Sequence, residues 1–272
     1  MFEEQKLNDF VELLWDFYAH SKRADLLWRQ PDKNGQFNPY KIMVSELMLQ
    51  QTQVARVTQK YQEFLELFPT ANALAAADLG DVLRAWQGLG YNRRAKFLWQ
   101  AAQAIQVVGE FPITLPELVK LPGIGPNTAG AILAYAYNEP VLFVETNVRS
   151  VYIHHFFADQ EAVSDKQILE VLESTLDHEN PREFYWALMD YGSHLKTTVG
   201  NAARASKHYA KQSAFNGSRR QVRGQVLRVL GIAAAPLKEL QVAIPDDRLL
   251  GVLVDLQVEG LIHLQANGTY SL

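Results

Sequence analysis

Apolar residues recur at three- and four-residue spacing along most of the chain, which predicts a helical protein. Leu7, Phe10, Val11, Leu14, Trp15 and Tyr18 form one such stripe, and residues 1–30 read as a helix. The turn-forming run PDKNGQFNP at 31–39 interrupts it. From Tyr40 to about Phe68 the helical pattern resumes, with Met43, Leu47 and Met48 on its apolar side and Ser45, Glu46, Gln50, Gln51 and Gln53 as a polar set. Residues 69–109 read as two short helices around Gly88-Leu89-Gly90-Tyr91. Helical patterns flank the turn Leu121-Pro122-Gly123-Ile124-Gly125. Others run from Asn147 to Phe157 and twice between 161 and 196, the last opened by Pro181. Residues 197–217 are basic, weakly periodic and rich in Gly, Asn and Ser, and read as a linker or an extended arm. From Ser218 three helical stretches (218–230, 236–243 and 246–258) precede LIHLQANGTYSL, where Asn267-Gly268 predicts a hairpin with a type I′ turn. Residues 218–272 thus have the make-up of a winged-helix-like module, or of a helical cap on the main domain.

A chain of 272 residues has room for two or three domains. The absence of cysteine excludes disulfides, thiolate zinc sites and cysteine-ligated iron–sulfur clusters. The start MFEEQKLNDF is acidic, and no apolar run approaches the roughly 18 residues of a membrane span. A cytoplasmic protein is expected. The net charge is −4, but from Tyr191 to Lys238 nine basic residues stand with no acidic one, against 17 basic and 30 acidic residues elsewhere. That asymmetry fits a polyanion-binding face; a solvated basic surface is the plainer alternative.

The stretch Leu121 to Asn147 concentrates the candidate chemistry. Two glycines two apart, followed by a helix, expose N–H groups suited to a phosphate, although such a turn is often only a turn. Glu145 stands where an apolar run gives way to a new helix. It is either a cap or dipole partner or a carboxylate facing a reacting sugar. In LMLQQTQV several amides stand beside Glu46; they could fill the gap left by an extruded base or line an exposed helix face. In GLGYNRRAK, Tyr91 lies beside Arg93 and Arg94, a composition for stacking and phosphate contacts. His154 and His155 diverge by about 100° on a helix and cannot share a metal, so no metal site is expected.

These residues carry a family likeness. Leu27-Trp28-Arg29, Pro39-Tyr40-Lys41, SELMLQQTQV at 45–54, GLGY at 88–91, LPGIGPNTAGAI at 121–132, TNVRSV at 146–151 and MDYG at 189–192 occur in order. The chain resembles the helix-hairpin-helix (HhH-GPD) DNA glycosylases, and within them the adenine glycosylases of the MutY type, over about residues 10–195. The resemblance implies an all-α, two-lobed fold. The N-terminal helix (1–30) would join the second helical lobe, residues 31–145 a six-helix barrel with the hairpin, residues 146–217 the rest of the second lobe with a basic arm, and residues 218–272 the C-terminal module. It implies double-stranded DNA holding a mismatched or damaged base as partner, a monomer, and base excision by hydrolysis of the N-glycosidic bond of a flipped nucleotide. Glu46 would be the general acid and Glu145 the carboxylate beside the cationic sugar, a two-carboxylate logic that needs Glu46 protonated and Glu145 ionised. Asn127 and Asn147 are candidates for the base pocket. Gln50, Gln51, Tyr91, Arg93, Arg94, Leu121, Gly123, Gly125, Thr128, Lys207, Arg219, Arg220 and Arg223 are candidates for DNA contact.

The sequence departs from the family at three places. The four cysteines usual after MDYG are missing, so no cofactor is expected beyond a monovalent cation that the hairpin could take; the basic arm could replace the cluster's DNA contacts. The usual aspartate is Glu145, one methylene longer, and a displacement of about an ångström can cost a hundredfold in rate. No domain for reading 8-oxoguanine is visible. Asn127 stands where bifunctional relatives carry a lysine, so no β-lyase activity is expected. Adenine opposite 8-oxoguanine or guanine is the leading substrate. Thymine or uracil opposite guanine, a deaminated or damaged base, a non-catalytic DNA-structure-binding protein and a winged-helix regulator are the alternatives.

Overall fold

The computed structural model describes residues 2–211 and 214–272; Met1, and Gln212 and Ser213 of the expected basic arm, lie outside the described residues. The described chain is helical: α1 (Glu4–Ser21), α2 (Pro39–Leu49), α3 (Val54–Leu67), α4 (Ala71–Ala76), α5 (Leu79–Ala85), α6 (Arg93–Val108), α7 (Leu115–Leu118), α8 (Pro126–Tyr137), α9 (Thr146–Phe156), α10 (Asp165–Thr175) and α11 (Pro181–Thr198). After these come α12 (Arg219–Ile232), β1 (Ala235–Pro236), α13 (Leu237–Ala243), α14 (Leu249–Val258), β2 (His263–Leu264) and β3 (Thr269–Ser271). Local chemistry sets many ends. Pro126 and Pro181 open α8 and α11, where a missing N–H costs nothing. Ser164 and Gln167 form a capping box on α10. Gly109 closes α6 and Asn138 closes α8, both left-handed.

The residues cluster into two compact units. The first comprises residues 1–43, 113–120 and 124–211, and the second residues 44–112, 121–123 and 212–272. In the first, α11 packs against α1, α8 and α9, around Leu14, Tyr152, Phe184 and Tyr185. In the second, α6 packs on α4 and α5, and Phe64 meets Trp86 edge-on at 5.9 Å. The C-terminal residues do not cluster apart from residues 44–112: α12 packs on α5, and Gln87 Nε2 donates to the Leu227 carbonyl at 3.3 Å. Helix α8 clusters with the first unit rather than with residues 44–112, because Ala129 to Ala136 are buried and its face packs on α11.

Several expected elements are shorter or divided. The N-terminal helix ends at Ser21, and residues 27–29 form a separate 3₁₀ turn that delivers Arg29 to Asp190. The helix expected from 40 to 68 breaks at Gln50–Gln53, where Gln51 has φ of 56°. Residues 69–109 hold three helices, not two. The hairpin turn is not type I′. Gly268 N–H donates to the Gln265 carbonyl at 2.9 Å and Gln265 N–H to Thr269 at 2.8 Å, with Gly268 at φ 82° and Asn267 outside the left-handed region. A three-residue loop with a left-handed glycine supplies the twist instead. Strand β3 lies between β1 and β2, antiparallel to both.

The segment after α11, where the resemblance has a cysteine-held cluster, contains no cysteine. Backbone contacts hold it: Val163 N–H donates to Ala205 at 3.0 Å, Lys207 N–H donates to Val163 at 2.9 Å, and Ala203 is buried. Among the described residues no group of three or more His, Cys, Asp or Glu could hold a metal ion, and no helix is long and apolar enough to cross a membrane.

Candidate functional site

In the first unit, the extended segment from Val141 to Glu145 is held at nearly every residue. Tyr185 Oη donates to the Val141 carbonyl at 2.8 Å and accepts from the Phe143 N–H at 3.2 Å, and its ring stacks on Phe143 at 4.0 Å. Gly130 allows this approach, since a Cβ there would stand 2.9 Å from Phe143 Cβ. Asn127 takes the next peptide: Nδ2 donates to the Val144 carbonyl at 2.8 Å and Oδ1 accepts the Val144 N–H at 3.4 Å. Both ends of its amide thus bond the backbone, on a residue that is itself exposed. It positions the residue before Glu145.

Glu145 is the N-cap of α9. Its Oε1 accepts from Asn147 N–H at 2.6 Å and Val148 N–H at 3.3 Å. The capping role and the candidate catalytic role thus fall on one side chain, and among the described residues Oε2 makes no hydrogen bond. Burial pushes the carboxyl's pKa up, against the pull of the two amides, Lys196 and Arg149. Asn147 is half-buried, with Nδ2 3.5 Å from Met189 Sδ. Its backbone is pressed to α11 at Gly192, where a Cβ would stand 2.7 Å from Asn147 Cβ and 2.9 Å from its carbonyl oxygen.

The motif pieces at 27–29 and 189–192 belong to the scaffold of this unit. Asp190 receives Arg29 bidentately at 2.8 and 2.9 Å, and Arg23 through its backbone N–H at 3.0 Å and Nε at 2.7 Å. Burial alone would raise the Asp190 pKa; the two arginines outweigh it and hold the carboxyl below its ordinary value.

In the second unit, Glu46 is half-buried on α2 between buried Ser45 and Leu47. The turn that follows carries Gln50 and Gln51. It stands beside the Gly88–Tyr91 turn because of Arg94. Arg94 Nη1 donates to the carbonyls of Leu47 (2.5 Å), Met48 (3.0 Å) and Gln50 (2.6 Å), and Nη2 donates to Thr52 Oγ1, Leu89 O and Gly90 O, each at 3.1 Å. Desolvation brings its pKa down to about 10. Arg94 is 7% exposed and spent on protein acceptors, so its expected place among the DNA contacts is corrected: it builds the platform. Glycine supplies two of that platform's left-handed positions, Gly88 at φ 94° and Gly90 at 71°, but Gln51 at 56° and Tyr91 at 48° are strained. A non-glycine residue held there costs on the order of 1–3 kcal/mol, and such strain gathers at functional sites.

Tyr91 is 39% exposed and its Oη accepts from Arg220 Nη1 at 2.8 Å. Gln50, Gln51, Tyr91, Arg93, Arg94, Arg220 and Arg223 line one groove of about 1180 Å³. Arg228, one of the nine basic residues of the 191–238 stretch, lines it too, as do Arg56 and Lys60, which were not singled out from sequence; their trace was the i, i+4 spacing on one helix face. Lys207 is exposed in the first unit and is not among the residues of this groove. Arg219 turns away from the groove to Asp255, at 2.5 Å. Arg223 stays in it but is paired with Glu259 at 2.6 Å.

The hairpin turn has the backbone expected for it. Gly123, at φ 77°, is exposed and stands where a Cβ would meet Phe97 Cβ at 2.6 Å. Leu121 is buried. Gly125 caps α8 in extended conformation, and Thr128 lies half-buried in the first turn.

A family model for the HhH-GPD superfamily of base excision DNA repair proteins matches residues 44–177. The chain is 34% identical to the adenine DNA glycosylase of Mycolicibacterium smegmatis, over 96% of this chain and 95% of that protein. It is 36% identical to the adenine DNA glycosylase of Mycobacterium tuberculosis, over 98% and 93%. Among solved structures, a thermostable thymine-DNA glycosylase superposes with a TM-score of 0.62 at 22% identity, over 73% of this chain and 91% of that one. A non-covalent endonuclease III–DNA complex does so with a TM-score of 0.61 at 19% identity, over 73% and 90%. At these identities the structural likeness bears on the fold.

Proposed function

The chain belongs to the HhH-GPD superfamily of base excision DNA repair proteins, among its adenine DNA glycosylases; on that premise we propose that it hydrolyses the N-glycosidic bond of a flipped adenine opposite 8-oxoguanine or guanine. The likeness to adenine DNA glycosylases along nearly the whole of both chains carries this reading.

Glu46 gives its proton to the adenine ring. The bond between the base and C1′ breaks, its electron pair leaving with the base. The Glu145 carboxylate, through the oxygen not used in the cap, stands beside the resulting oxocarbenium ion. Water adds to C1′ and loses a proton, leaving free adenine and an abasic site. The strand stays intact, because Asn127 stands where a Schiff base would need a lysine and its amide is bonded to Val144. The commitment of Glu145 Oε1 to the helix also suits a protein that binds DNA structure without cleaving it, so cleavage is the deciding measurement.

Single-turnover reactions on duplexes holding adenine opposite 8-oxoguanine or guanine, thymine or uracil opposite guanine, or hypoxanthine separate these readings. Scission is scored with and without hot alkali for wild type, Glu46→Gln and Glu145→Gln. Alkali-dependent cleavage at adenine, lost in both variants, is expected. Cleavage at another base alone would reassign the substrate, and tight binding with no cleavage would overturn the enzyme reading.

A further inference from the structure

Glu145 keeps one carboxylate oxygen, Oε2, without a hydrogen bond among the described residues, although two cations act on it. Burial raises its pKa, and the two cap amides, Lys196 and Arg149 act against that rise. Lys196 is exposed on α11. Arg149 stands four residues on, in the first turn of α9, with its N–H on the Glu145 carbonyl at 2.9 Å. That is the spacing at which a glutamate and a following cation usually pair along a helix. Arg149 does not make this pair. Its Nε donates to Asp165 Oδ1 and its Nη2 to Asp165 Oδ2, both at 2.7 Å, a two-pronged grip that fixes the plane of the guanidinium.

The grip comes from a well-anchored element. Asp165 is the first residue of α10, where a carboxylate also faces the positive end of the helix. The residues before it are held by the Ser164–Gln167 capping box and by Val163, whose N–H donates to Ala205 and whose carbonyl accepts from Lys207. Tyr152 Oη and Thr175 Oγ1, 2.6 Å apart, tie α9 to the far end of α10. The Arg149 and Asp165 side chains are 17% and 28% exposed, so water screens them less than an open surface pair. A guanidinium closed on Oε2 would occupy that oxygen and offset the negative charge on which an oxocarbenium ion depends. Held by Asp165, it favours the ionised carboxylate from a distance and leaves the oxygen open.

We propose that Asp165 is a positioning residue for the reaction: it grips Arg149 so that the guanidinium does not close on Glu145 Oε2. The proposal rests on the reading of Glu145 as the carboxylate beside the sugar, so the test has one arm that needs no cleavage. In that arm the titration of Glu145 is followed by carboxyl-carbon NMR of protein labelled at glutamate, the resonance being assigned by its loss in Glu145→Gln. Asp165→Asn and Asp165→Ser each free Arg149, and should move the Glu145 titration down by about one pH unit. Arg149→Gln removes a charge that favours the carboxylate and should move it up, as should the double variant Asp165→Asn/Arg149→Gln. In single-turnover cleavage, Asp165→Asn should lower the plateau rate about tenfold and carry the acid limb to lower pH. The double variant should recover the rate of Arg149→Gln, which costs far less than Asp165→Asn. A pair that only stabilised the fold would lose as much from either side and regain nothing from the second change.

A Glu145 titration unmoved in both Asp165 variants would overturn the proposal. So would a double variant no faster than Asp165→Asn. Titrations that move as expected in a protein that cleaves no base would sink the glycosylase reading and leave the hold of Asp165 on Arg149 standing.

Discussion

The amide of Asn127 brackets the peptide of Val144, giving a hydrogen bond to its carbonyl at 2.8 Å and taking one from its N–H at 3.4 Å. Helix α8 thereby fixes the residue that precedes the Glu145 carboxylate. Asn127→Ala should lower the single-turnover cleavage rate by about ten- to a hundredfold through misplacement of that carboxylate, with affinity for an uncleavable lesion duplex unchanged. Asn127→Asp keeps an acceptor for the N–H and loses the donor to the carbonyl, and should fall between. A fall in affinity with an unchanged rate would instead place Asn127 on the DNA.

Glu145 carries a pH signature. Burial raises its pKa above the ordinary 4.5, and the reaction needs it ionised. The acid limb of the rate profile should therefore fall at a pH above 4.5. The same shift acts on stability. With the folded pKa above the unfolded one, the contribution is present in acid and lost as pH rises through the folded value. Glu145→Gln keeps a capping oxygen and removes that loss. It should be inactive, and its melting temperature relative to wild type should be higher at pH 8 than at pH 4; a constant difference would contradict the raised pKa.

Asp190 works in the opposite direction. Its folded pKa lies below the unfolded value, so its contribution is present above the ordinary 3.8 and lost as pH falls through the folded value. Asp190→Asn leaves Arg29 and Arg23 facing a neutral amide in a buried place. Breaking such a pair costs about 3–5 kcal/mol. Urea titrations at neutral pH should record a loss of that size, and one below about 1 kcal/mol would mean the knot is dispensable.

Gly192 lets α9 approach α11. In Gly192→Ala the new Cβ would lie 2.7 Å from Asn147 Cβ and 2.9 Å from its carbonyl oxygen. The first turn of α9 must shift, and the cap at Glu145 with it. A rate reduced by about a hundredfold, with lesion binding retained, is the expected result in single-turnover and titration experiments. A rate near wild type would show that the helix start can move without cost to the chemistry.

Apolar spacing, prolines and capping residues located most helices of this chain, because those signals act within a few residues of one another. The family motifs, quoted in order, led to the glycosylase class. Sequence also marked Glu145 as a helix-start carboxylate, and the structure makes it the cap of α9. What only the tertiary structure decided are relations between distant residues. The run QQTQ reads as a polar helix face, but the helix ends before it, and Arg94, 42 to 44 residues away, holds the Gln50 carbonyl and the Thr52 hydroxyl there. Arg94 itself reads as a phosphate contact, and burial turns it into scaffold. The Asn127 amide bonds the backbone of Val144, 17 residues on. The bond from Arg220 to Tyr91 joins residues 129 apart. Local propensity has no term for such pairings; they form only when packing removes water and leaves each buried polar group to find its partner in the protein.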